Sequence, residues 1–264
     1  MIPKVIHYCW FGGKIIPQSQ KKCIESWRKF CPDYKIVRWD ERNFDINCCK
    51  YTAEAYKQKK WAFVSDVARL MALSKEGGVY MDTDVELFAP LDSFLQNKAF
   101  SGVEIFREAF ERTSRHLLDE NDRPINGEGV PFCGILSSMI GSESDNQFLS
   151  DCLEYYFHLD PFSPTGEFNG IVIDGLLAKL ALKYGFRYTD CYQNLGVITL
   201  YPSETFAYEG ISITPSSVSY HHTAWSWMPK TKREKVKIFL DRMHLLGVIK
   251  SIKTFILKQI GNAQ

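Results

Sequence analysis

Short apolar runs alternate with amphipathic segments along most of this 264-residue chain. The alternation predicts strands at residues 5–10 and 34–40, and the segment 19–30 between them has the apolar spacing of a helix. The order continues downstream, with strands predicted at residues 79–81, 85–88, 99–106 and 197–202 and helices at residues 53–60, 61–76, 91–95, 146–157 and 174–182. Residues 107–129 are polar and irregular, which predicts a loop. This order of elements predicts an α/β fold whose mostly parallel central sheet is flanked by helices.

Two aspartates follow one of the predicted strands. Residues 61–76 have the apolar spacing of a helix, and Gly77 stands where a glycine can take the left-handed conformation that ends one. Residues 79–81 suit a short buried strand, and Asp82 and Asp84 come where that strand ends. Two residues apart in an extended chain, their side chains are expected to point the same way. Two carboxylates so placed can bind a divalent cation such as Mg²⁺ or Mn²⁺.

The helix before these aspartates decides how they are interpreted, because a bare D-x-D is more often a solvated strand end than a site. Asp66 and Arg69 lie three residues apart on that helix and therefore share one face, which Ser65 adjoins. A helix that presents an acid and a base just before a strand with two aspartates favours a functional site. Elsewhere, Glu104 has equal claims to face a ligand or to be structural, and Asp174 is interpreted as the opening residue of a helix.

The distribution of charge divides the chain into two parts. The net charge of +1 gives no signal for a nucleic-acid partner. Residues 230–264 hold nine Lys and Arg residues against two acidic ones, whereas residues 1–229 hold 23 basic and 29 acidic groups. We therefore expect one main domain at residues 1–229, which the resemblance described below makes the catalytic domain, and a basic amphipathic helical extension at residues 230–264. The extension is expected either to pack on the domain or to lie peripherally on an anionic membrane.

The cellular compartment is predicted from what precedes the first strand and from the cysteines. No signal-peptide pattern and no apolar stretch of about 18 residues or more is present. The eight cysteines lack zinc-finger spacing, and the adjacent Cys48 and Cys49 are a poor metal clamp. Without a secretory signal these thiols are expected to be reduced. The sequence thus predicts a cytoplasmic protein, with the basic extension as its contact to the inner face of the plasma membrane.

One stretch fills every position of a known pattern. The pattern reads A-x-x-S-D-x-x-R, a spacer and G-G-x-Y-x-D-x-D, and it is filled by Ala62, Ser65, Asp66, Arg69, Gly77, Gly78, Tyr80, Asp82 and Asp84. On these residues the chain resembles the D-x-D sugar-binding region of glycosyltransferase family 32, which includes yeast initiating mannosyltransferases and bacterial capsule and O-antigen enzymes. It is similar, more distantly, to the glucosylating domain of large clostridial toxins. An N-terminal motif, I-H-x-x-W-x-G-G, and a closing motif, H-H-x-x-x-S-W, extend the resemblance to Trp10, His222, Ser226 and Trp227.

The resemblance implies a GT-A type nucleotide-diphospho-sugar transferase fold and a retaining, metal-dependent hexosyltransferase. The implied cofactor is Mn²⁺ or Mg²⁺, and the implied donor is a nucleotide sugar, with UDP-hexose favoured over GDP-mannose. The implied metal ligands are Asp82, Asp84 and, as a third, His222. The implied catalytic residues are Asp66, Arg69, Asp82 and Asp84. Donor binding is assigned to Trp10, which would stack on the base, and to Ser65, Asp66, Arg69, Tyr80, Asp82, Ser226 and Trp227.

The resemblance also implies a front-face reaction, in which the departing phosphate helps to deprotonate the acceptor hydroxyl. We expect the acceptor to be a glycan carried on a membrane lipid, in the synthesis of a bacterial surface polysaccharide. Three alternatives stay open: a toxin-like transferase that acts on a protein, a nucleotide-sugar-binding module without transfer, and a phosphatase of the D-x-D type. Glu86 does not suit the fifth position of the phosphatase pattern, and the intact acids and Arg69 argue against a decayed site.

Overall fold

The computed structural model describes residues 1–223, and that part contains strands, α-helices and short 3₁₀ turns. The strands are β1 (Val5–Cys9), β2 (Lys35–Trp39), β3 (Gly78–Met81), β4 (Val85–Leu87), β5 (Ala99–Ile105), β6 (Cys133–Ile135), β7 (Met139–Ser142), β8 (Gln193–Asn194), β9 (Thr199–Tyr201), β10 (Phe206–Tyr208) and β11 (Ser219–His221). The α-helices are α1 (Gln18–Phe30), α2 (Lys50–Lys57), α3 (Trp61–Glu76), α4 (Arg107–Thr113), α5 (Gln147–His158) and α6 (Ile173–Ala181). The predicted extension at residues 230–264 and the predicted site residues Ser226 and Trp227 lie outside the described residues.

Eight of the strands form one central sheet, in the order β2-β1-β3-β7-β5-β9-β8, with β6 paired to β5. Strands β1, β2, β3, β5 and β9 run in one direction, and β6, β7 and β8 run the opposite way. A second sheet has three strands in the order β10-β11-β4. The predicted α/β fold with a large central sheet flanked by helices is confirmed. Most central strands share a direction, but antiparallel neighbours interrupt the parallel pairs.

Some predicted elements differ from the observed ones. Residues 107–129, predicted as a loop, contain α4 and a 3₁₀ turn at Arg115–Leu117. Helix α4 shows no apolar period because Phe110 is the one residue that it buries. The helix predicted at residues 91–95 is a single 3₁₀ turn at Asp92–Phe94. The other predicted helices and strands are present, with ends that shift by a few residues.

The central sheet has a hydrophobic core on each face. Tyr80 belongs to a core formed with α3, α5 and α6, whereas its neighbours Val79 and Met81 belong to another formed with α1. Since successive strand residues point to opposite faces, these cores lie on the two sides of the sheet. Strand β3 is therefore buried on both faces, and Asp82 emerges directly after it. Within residues 1–223, none of the helices combines the length and apolar character needed to cross a bilayer.

The turn from α3 into β3 fixes where the aspartates emerge. Gly77 follows the last residue of α3 with a φ of +65°, so the predicted glycine stop is confirmed. Gly78 has a φ of +109°, and a Cβ there would come within 2.6 Å of the Val5 carbonyl oxygen. Trp39 donates its indole N–H to His7 Nδ1 at 2.9 Å, so the other ring nitrogen of His7 carries the hydrogen and donates to the Gly77 carbonyl at 2.8 Å. A neutral, buried imidazole thus ties this turn to β1 and β2.

The close approach of β7 and β5 gives a test of this packing. A Cβ at Gly141 would lie 2.0 Å from Phe100 Cε1, a fully buried ring atom. We predict that Gly141→Ala lowers the free energy of unfolding by about 1–3 kcal/mol, because overpacking displaces the ring. Gly175→Ala is the control, since a Cβ at this position of α6 meets no atom within 4 Å. Urea unfolding measures both variants, and equal loss of stability in the two would contradict the packing described here.

Candidate active site

A buried guanidinium lies at the centre of the candidate site. Arg69 is only 5% exposed, and its Nη2 atom lies 2.9 Å from Asp66 Oδ1 and 3.5 Å from Asp82 Oδ1. Its Nη1 donates to the Ser137 carbonyl at 2.8 Å, and its Nε donates to the Ser65 carbonyl at 3.3 Å. Burial alone would lower the pKa of Arg69, but the carboxylates of Asp82 and Asp66 outweigh it and the pKa is raised. The guanidinium is therefore a permanent positive charge with a fixed orientation.

Tyr80 contacts both Asp82 and Arg69 and fixes their relative position. Its ring lies under the guanidinium, with 4.6 Å from the ring centroid to Arg69 Cζ. Its hydroxyl donates to Asp82 Oδ1 at 2.7 Å, the same oxygen that faces Arg69. The Asp82 backbone N–H donates to the Ser138 carbonyl at 2.9 Å. The first carboxylate of the D-x-D is thus oriented by an ion pair, a phenol and its own backbone.

Asp66 is buried and has a raised pKa, so it is a weaker acid than an ordinary aspartate. Its burial raises its pKa to about 7, because the opposing charge of Arg69 offsets only part of the desolvation and the charges of Asp174 and Asp82 raise the pKa further. At neutral pH this carboxyl therefore exchanges readily between its two protonation states. Perturbed acids of this kind gather at functional sites.

The two aspartates of the D-x-D converge through a turn. The prediction of an extended chain is wrong here, because Asp82 opens a turn that contains Asp84 and is closed by the Val85 N–H, which donates to the Asp82 carbonyl at 3.0 Å. Their carboxylates nevertheless converge, together with the His221 imidazole, so that the nearest ligand atoms of all three lie within 4.8 Å of one another. The predicted convergence of the two carboxylates is confirmed, and the geometry that produces it is different.

The third member of this cluster is His221, and the prediction of His222 is corrected. His221 Nε2 lies 3.2 Å from Asp84 Oδ1. His222, which is 48% exposed, turns the other way and places its Nε2 2.9 Å from Glu86 Oε2. Successive residues of β11 and its continuation point to opposite sides, so only one of the two histidines can face the aspartates. The motif identified the histidine pair but not which member faces inward.

The cluster suits a divalent cation. Octahedral Mg²⁺ or Mn²⁺ with ligands at about 2.1 Å requires neighbouring ligand atoms about 3 Å apart, close to the separation of Asp84 Oδ1 and His221 Nε2. Two carboxylates and one imidazole form a donor set that accepts Mn²⁺ well. Burial lowers the pKa of His221, but the hydrogen bond and charge of Asp84 outweigh it and raise the pKa, because the surrounding carboxylates favour a positive charge at this position.

Two further carboxylates border the site, Glu104, for which the sequence left a ligand-facing and a structural role equally open, and Asp174, which was interpreted as the opening residue of a helix. Asp174 Oδ1 accepts a hydrogen bond from the Ser137 N–H at 2.7 Å. The carbonyl of Ser137 in turn accepts a hydrogen bond from Arg69. Glu104 on β5 is paired with Gly134 on β6, where a Cβ would lie 2.6 Å from the Asp174 carbonyl oxygen. Burial and the charge of Asp174 raise the pKa of Glu104 well above its usual range. Asp174 thus lies beside the Ser137 segment that binds Arg69, and Glu104 lies near enough to Asp174 for the two charges to interact.

The sequence signal for these two acids is weak. Asp174 is one of many acids at the start of a helix, and Glu104 is a single acid in a strand. Their proximity depends on the pairing of β5 with β6 and on the packing of α6 against β6, which no local motif encodes.

The remaining predicted residues take varied positions. Trp10 follows β1, which lies beside β3, so it stands at the same edge of the sheet as Asp82. Its indole N–H donates to the Lys14 carbonyl at 2.5 Å, and its stacking on a base stays a prediction. The Ser65 hydroxyl donates to the Trp61 carbonyl at 3.0 Å, so Ser65 contributes to the centre through its own carbonyl.

Comparison with known proteins gives a family match over the segment of the chain that contains this centre. Residues 17–101 match the family model described as a glycosyltransferase sugar-binding region containing the DXD motif. Inositol phosphoceramide mannosyltransferase 3 of Schizosaccharomyces pombe is 30% identical over 110 residues, which are 38% of this chain and 29% of that protein. An uncharacterized glycosyltransferase of Acanthamoeba polyphaga mimivirus is 35% identical over 101 residues, 36% of this chain and 40% of that protein. The chain thus spans well under half the length of these curated relatives.

Solved structures give looser similarities. The galactosyltransferase LgtC in complex with donor and acceptor sugar analogs is 13% identical, with a TM-score of 0.44 and coverage of 83% of this chain and 87% of that one. The PaToxG glycosyltransferase is 17% identical, with a TM-score of 0.43 and coverage of 69% of each chain. The resemblance to the D-x-D region is confirmed by the family match, and the matched residues 17–101 include Asp66, Arg69, Asp82 and Asp84.

The acidity of Asp66 makes stability depend on pH. Because its folded pKa of about 7 lies above its usual 3.8, the folded protein binds a proton between these values that the unfolded chain has released. The stability that this proton gives is complete below about pH 4 and declines as the pH rises to about 7. We predict that Asp66→Asn removes this decline. The difference in free energy of unfolding, variant minus wild type, then increases by roughly 1–4 kcal/mol between about pH 4 and pH 7. Chemical unfolding at several pH values measures this, with the exposed Asp160→Asn as control, and curves parallel to wild type would refute it.

The positions of the two histidines give a second prediction for this site. We expect His221→Ala to weaken Mn²⁺ binding roughly tenfold or more, because it removes a ligand atom from the cluster. His222→Ala is the matched control and is expected to leave the affinity within about twofold, since its partner is Glu86. Isothermal titration with Mn²⁺ measures both variants. A greater loss in His222→Ala than in His221→Ala would contradict the arrangement described above.

Proposed function

We propose that this protein is a metal-dependent, retaining glycosyltransferase that moves a hexose from a nucleotide sugar to a glycan acceptor. The observation that carries the proposal is the juxtaposition of the buried Arg69 with Asp66 and Asp82 and of the D-x-D with His221. A fixed guanidinium beside a cation-binding cluster suits a ligand with two phosphates. The family match at residues 17–101 supports the same class of donor.

The chemistry follows from the charge that develops in the reaction. When a sugar leaves a nucleoside diphosphate, negative charge grows on the distal phosphate. A divalent cation held by Asp82, Asp84 and His221 would neutralise that charge as a Lewis acid. Arg69, fixed by its carbonyl contacts, adds a positive charge that needs no rearrangement during the reaction. Electrostatic preorganisation of this kind is usually a large part of transition-state stabilisation.

The carboxylates divide between donor and acceptor in this proposal. Asp66 accepts hydrogen bonds from hydroxyls of the transferred sugar, and its ionised form is the better acceptor. Asp174 and Glu104, which border the centre, accept hydrogen bonds from hydroxyls of the incoming acceptor. The acceptor hydroxyl loses its proton to the departing phosphate on the same face of the sugar, which retains the anomeric configuration. Trp10 stacks on the base at the edge of the sheet.

The identity of the substrates is the finer part of the proposal. We favour a UDP-hexose as donor and a lipid-linked glycan in bacterial capsule or O-antigen synthesis as acceptor. The name of the yeast relatives, inositol phosphoceramide mannosyltransferases, supports a membrane lipid as the carrier of the acceptor and makes a mannose donor the next to test. Residues 230–264 would bring the enzyme to an anionic membrane from the cytoplasmic side, as a peripheral protein.

A toxin-like transferase that acts on a protein is the second candidate. It is supported by the name of a relative from Legionella pneumophila, subversion of eukaryotic traffic protein A. That protein is 28% identical over 116 residues, which are 34% of this chain and 18% of that protein. The two candidates share the donor site and differ only in the acceptor. Incubation with lipid-linked glycans and with a eukaryotic lysate, each with labelled donor, separates them.

A donor screen tests the activity itself. We predict that with Mn²⁺ one nucleotide sugar releases nucleoside diphosphate, and that chelation removes the turnover. Asp84→Asn is expected to lower kcat about 100-fold or more, because it removes the charge that holds the cation. Glu86→Gln, two residues away and paired with His222, is the matched control and is expected to keep most of the activity. Failure of every UDP- and GDP-sugar to bind or turn over would refute the proposal.

A further inference from the structure

Tyr156 on α5 carries a hydroxyl that the fold leaves unused. The side chain is fully buried, and its hydroxyl has no hydrogen-bond partner among residues 1–223. A buried hydroxyl without a partner is unfavourable, and a phenylalanine of the same shape would avoid the penalty. A buried donor of this kind is expected to have a partner when another molecule, such as a water or a ligand, is bound nearby.

The surroundings of this hydroxyl point to the candidate active site. The ring of Tyr156 lies 5.1 Å from that of Tyr51 on α2, whose own hydroxyl accepts a hydrogen bond from the Ile171 N–H at 3.2 Å. Helix α5 packs directly on α3, the helix of Asp66. Burial raises the pKa of Tyr156 well above its usual range, and the charge that contributes most to this is Asp66. Tyr156 is thus buried in the core that α5 shares with the helix of Asp66, and within residues 1–223 its hydroxyl makes no hydrogen bond to the Asp66 carboxylate.

Asp66 in turn has an acceptor to spare. Its Oδ1 faces Arg69 at 2.9 Å, and within residues 1–223 no hydrogen bond reaches its Oδ2. The other groups that face it are Asp82 after β3, Asp174 on α6 and Tyr51 on α2, of which the two acids oppose its ionisation. A phenol is a neutral donor that stabilises an ionised carboxylate without adding charge.

We propose that Tyr156 is a positioning residue for Asp66, donating its hydroxyl hydrogen to the Asp66 carboxylate through one buried water, whether or not a nucleotide sugar is bound. This inference rests on the proposed function for the identity of the ligand. The hydrogen bond keeps Asp66 ionised and turned toward the hydroxyls of the transferred sugar. It thereby links sugar recognition to a residue that no substrate atom reaches.

The test compares two buried tyrosines in different surroundings. Tyr188 is as fully buried as Tyr156, but its hydroxyl lies beside the Val130 backbone and Cys133, and the charge of Asp66 does not act on it. We therefore compare Tyr156→Phe with Tyr188→Phe. Carbon-13 NMR of labelled aspartate side chains follows the titration of Asp66, whose signal is assigned with Asp66→Asn. Tyr156→Phe is expected to raise the pKa of Asp66 by about one unit, because it loses a donor to the anion, and Tyr188→Phe is expected to leave it unchanged.

Kinetics provide the readout that a merely structural role would not move. In Tyr156→Phe the acid limb of kcat/KM shifts to higher pH, and the KM for the nucleotide sugar rises about tenfold while the affinity for the nucleoside diphosphate alone is unchanged. Equal behaviour of the two variants in titration and kinetics would overturn the inference. If wild type turns over no nucleotide sugar, the proposed function fails, whereas the titration of Asp66 still decides the contact with Tyr156.

Discussion

The burial of the Arg69 charge is the constraint around which the candidate site is arranged. A guanidinium with 5% exposure persists only where every side of it is compensated. The compensation comes from Asp66 on its own helix, from Asp82 after β3, and from the carbonyls of Ser65 and Ser137. Helix α3, strand β3 and the segment before β7 must therefore come together correctly for the charge to be tolerated. Loss of any one partner would leave a buried charge unmatched, which couples the fold to the site.

That coupling explains how a short motif is made into three-dimensional chemistry. The glycine turn after α3 and the neutral His7 fix the start of β3, and the two cores fix the strand on both faces. The chain then turns between Asp82 and Val85, and β11 pairs with β4 to bring His221 beside Asp84. The cluster of Asp82, Asp84 and His221 and the Arg69 guanidinium thus share one rigid support. Sites built on strand ends and a helix hold their geometry better than sites on free loops.

The sequence allowed the local part of this arrangement to be predicted and left the long-range part hidden. Asp66, Arg69, Asp82 and Asp84 lie within one helix–turn–strand unit, so their spacing alone indicated that they belong together. The inward-facing histidine could not be chosen, because which of His221 and His222 faces Asp84 depends on how β11 pairs with β4.

The same limit applies to the acids that border the site and to part of the fold. Glu104 and Asp174 approach each other only through the pairing of β5 with β6 and the packing of α6. Local patterns therefore left Glu104 equally open to a ligand-facing or a structural role, and indicated for Asp174 only that it opens a helix. Helix α4 was predicted as loop because a helix with one buried residue has no apolar period. The order of the predicted strands and helices followed from alternation. The short strands β6, β7, β8, β10 and β11 were not predicted, and neither was the antiparallel position of β7 between β3 and β5.

The most direct test of the central claim is a crystal structure of the protein with Mn²⁺ and UDP, with diffraction data collected at the manganese absorption edge. We predict an anomalous peak bound by Asp84 and His221, with the diphosphate on the same side of the sheet as Arg69. Manganese bound instead between Glu86 and His222, or UDP bound away from the D-x-D, would contradict this arrangement.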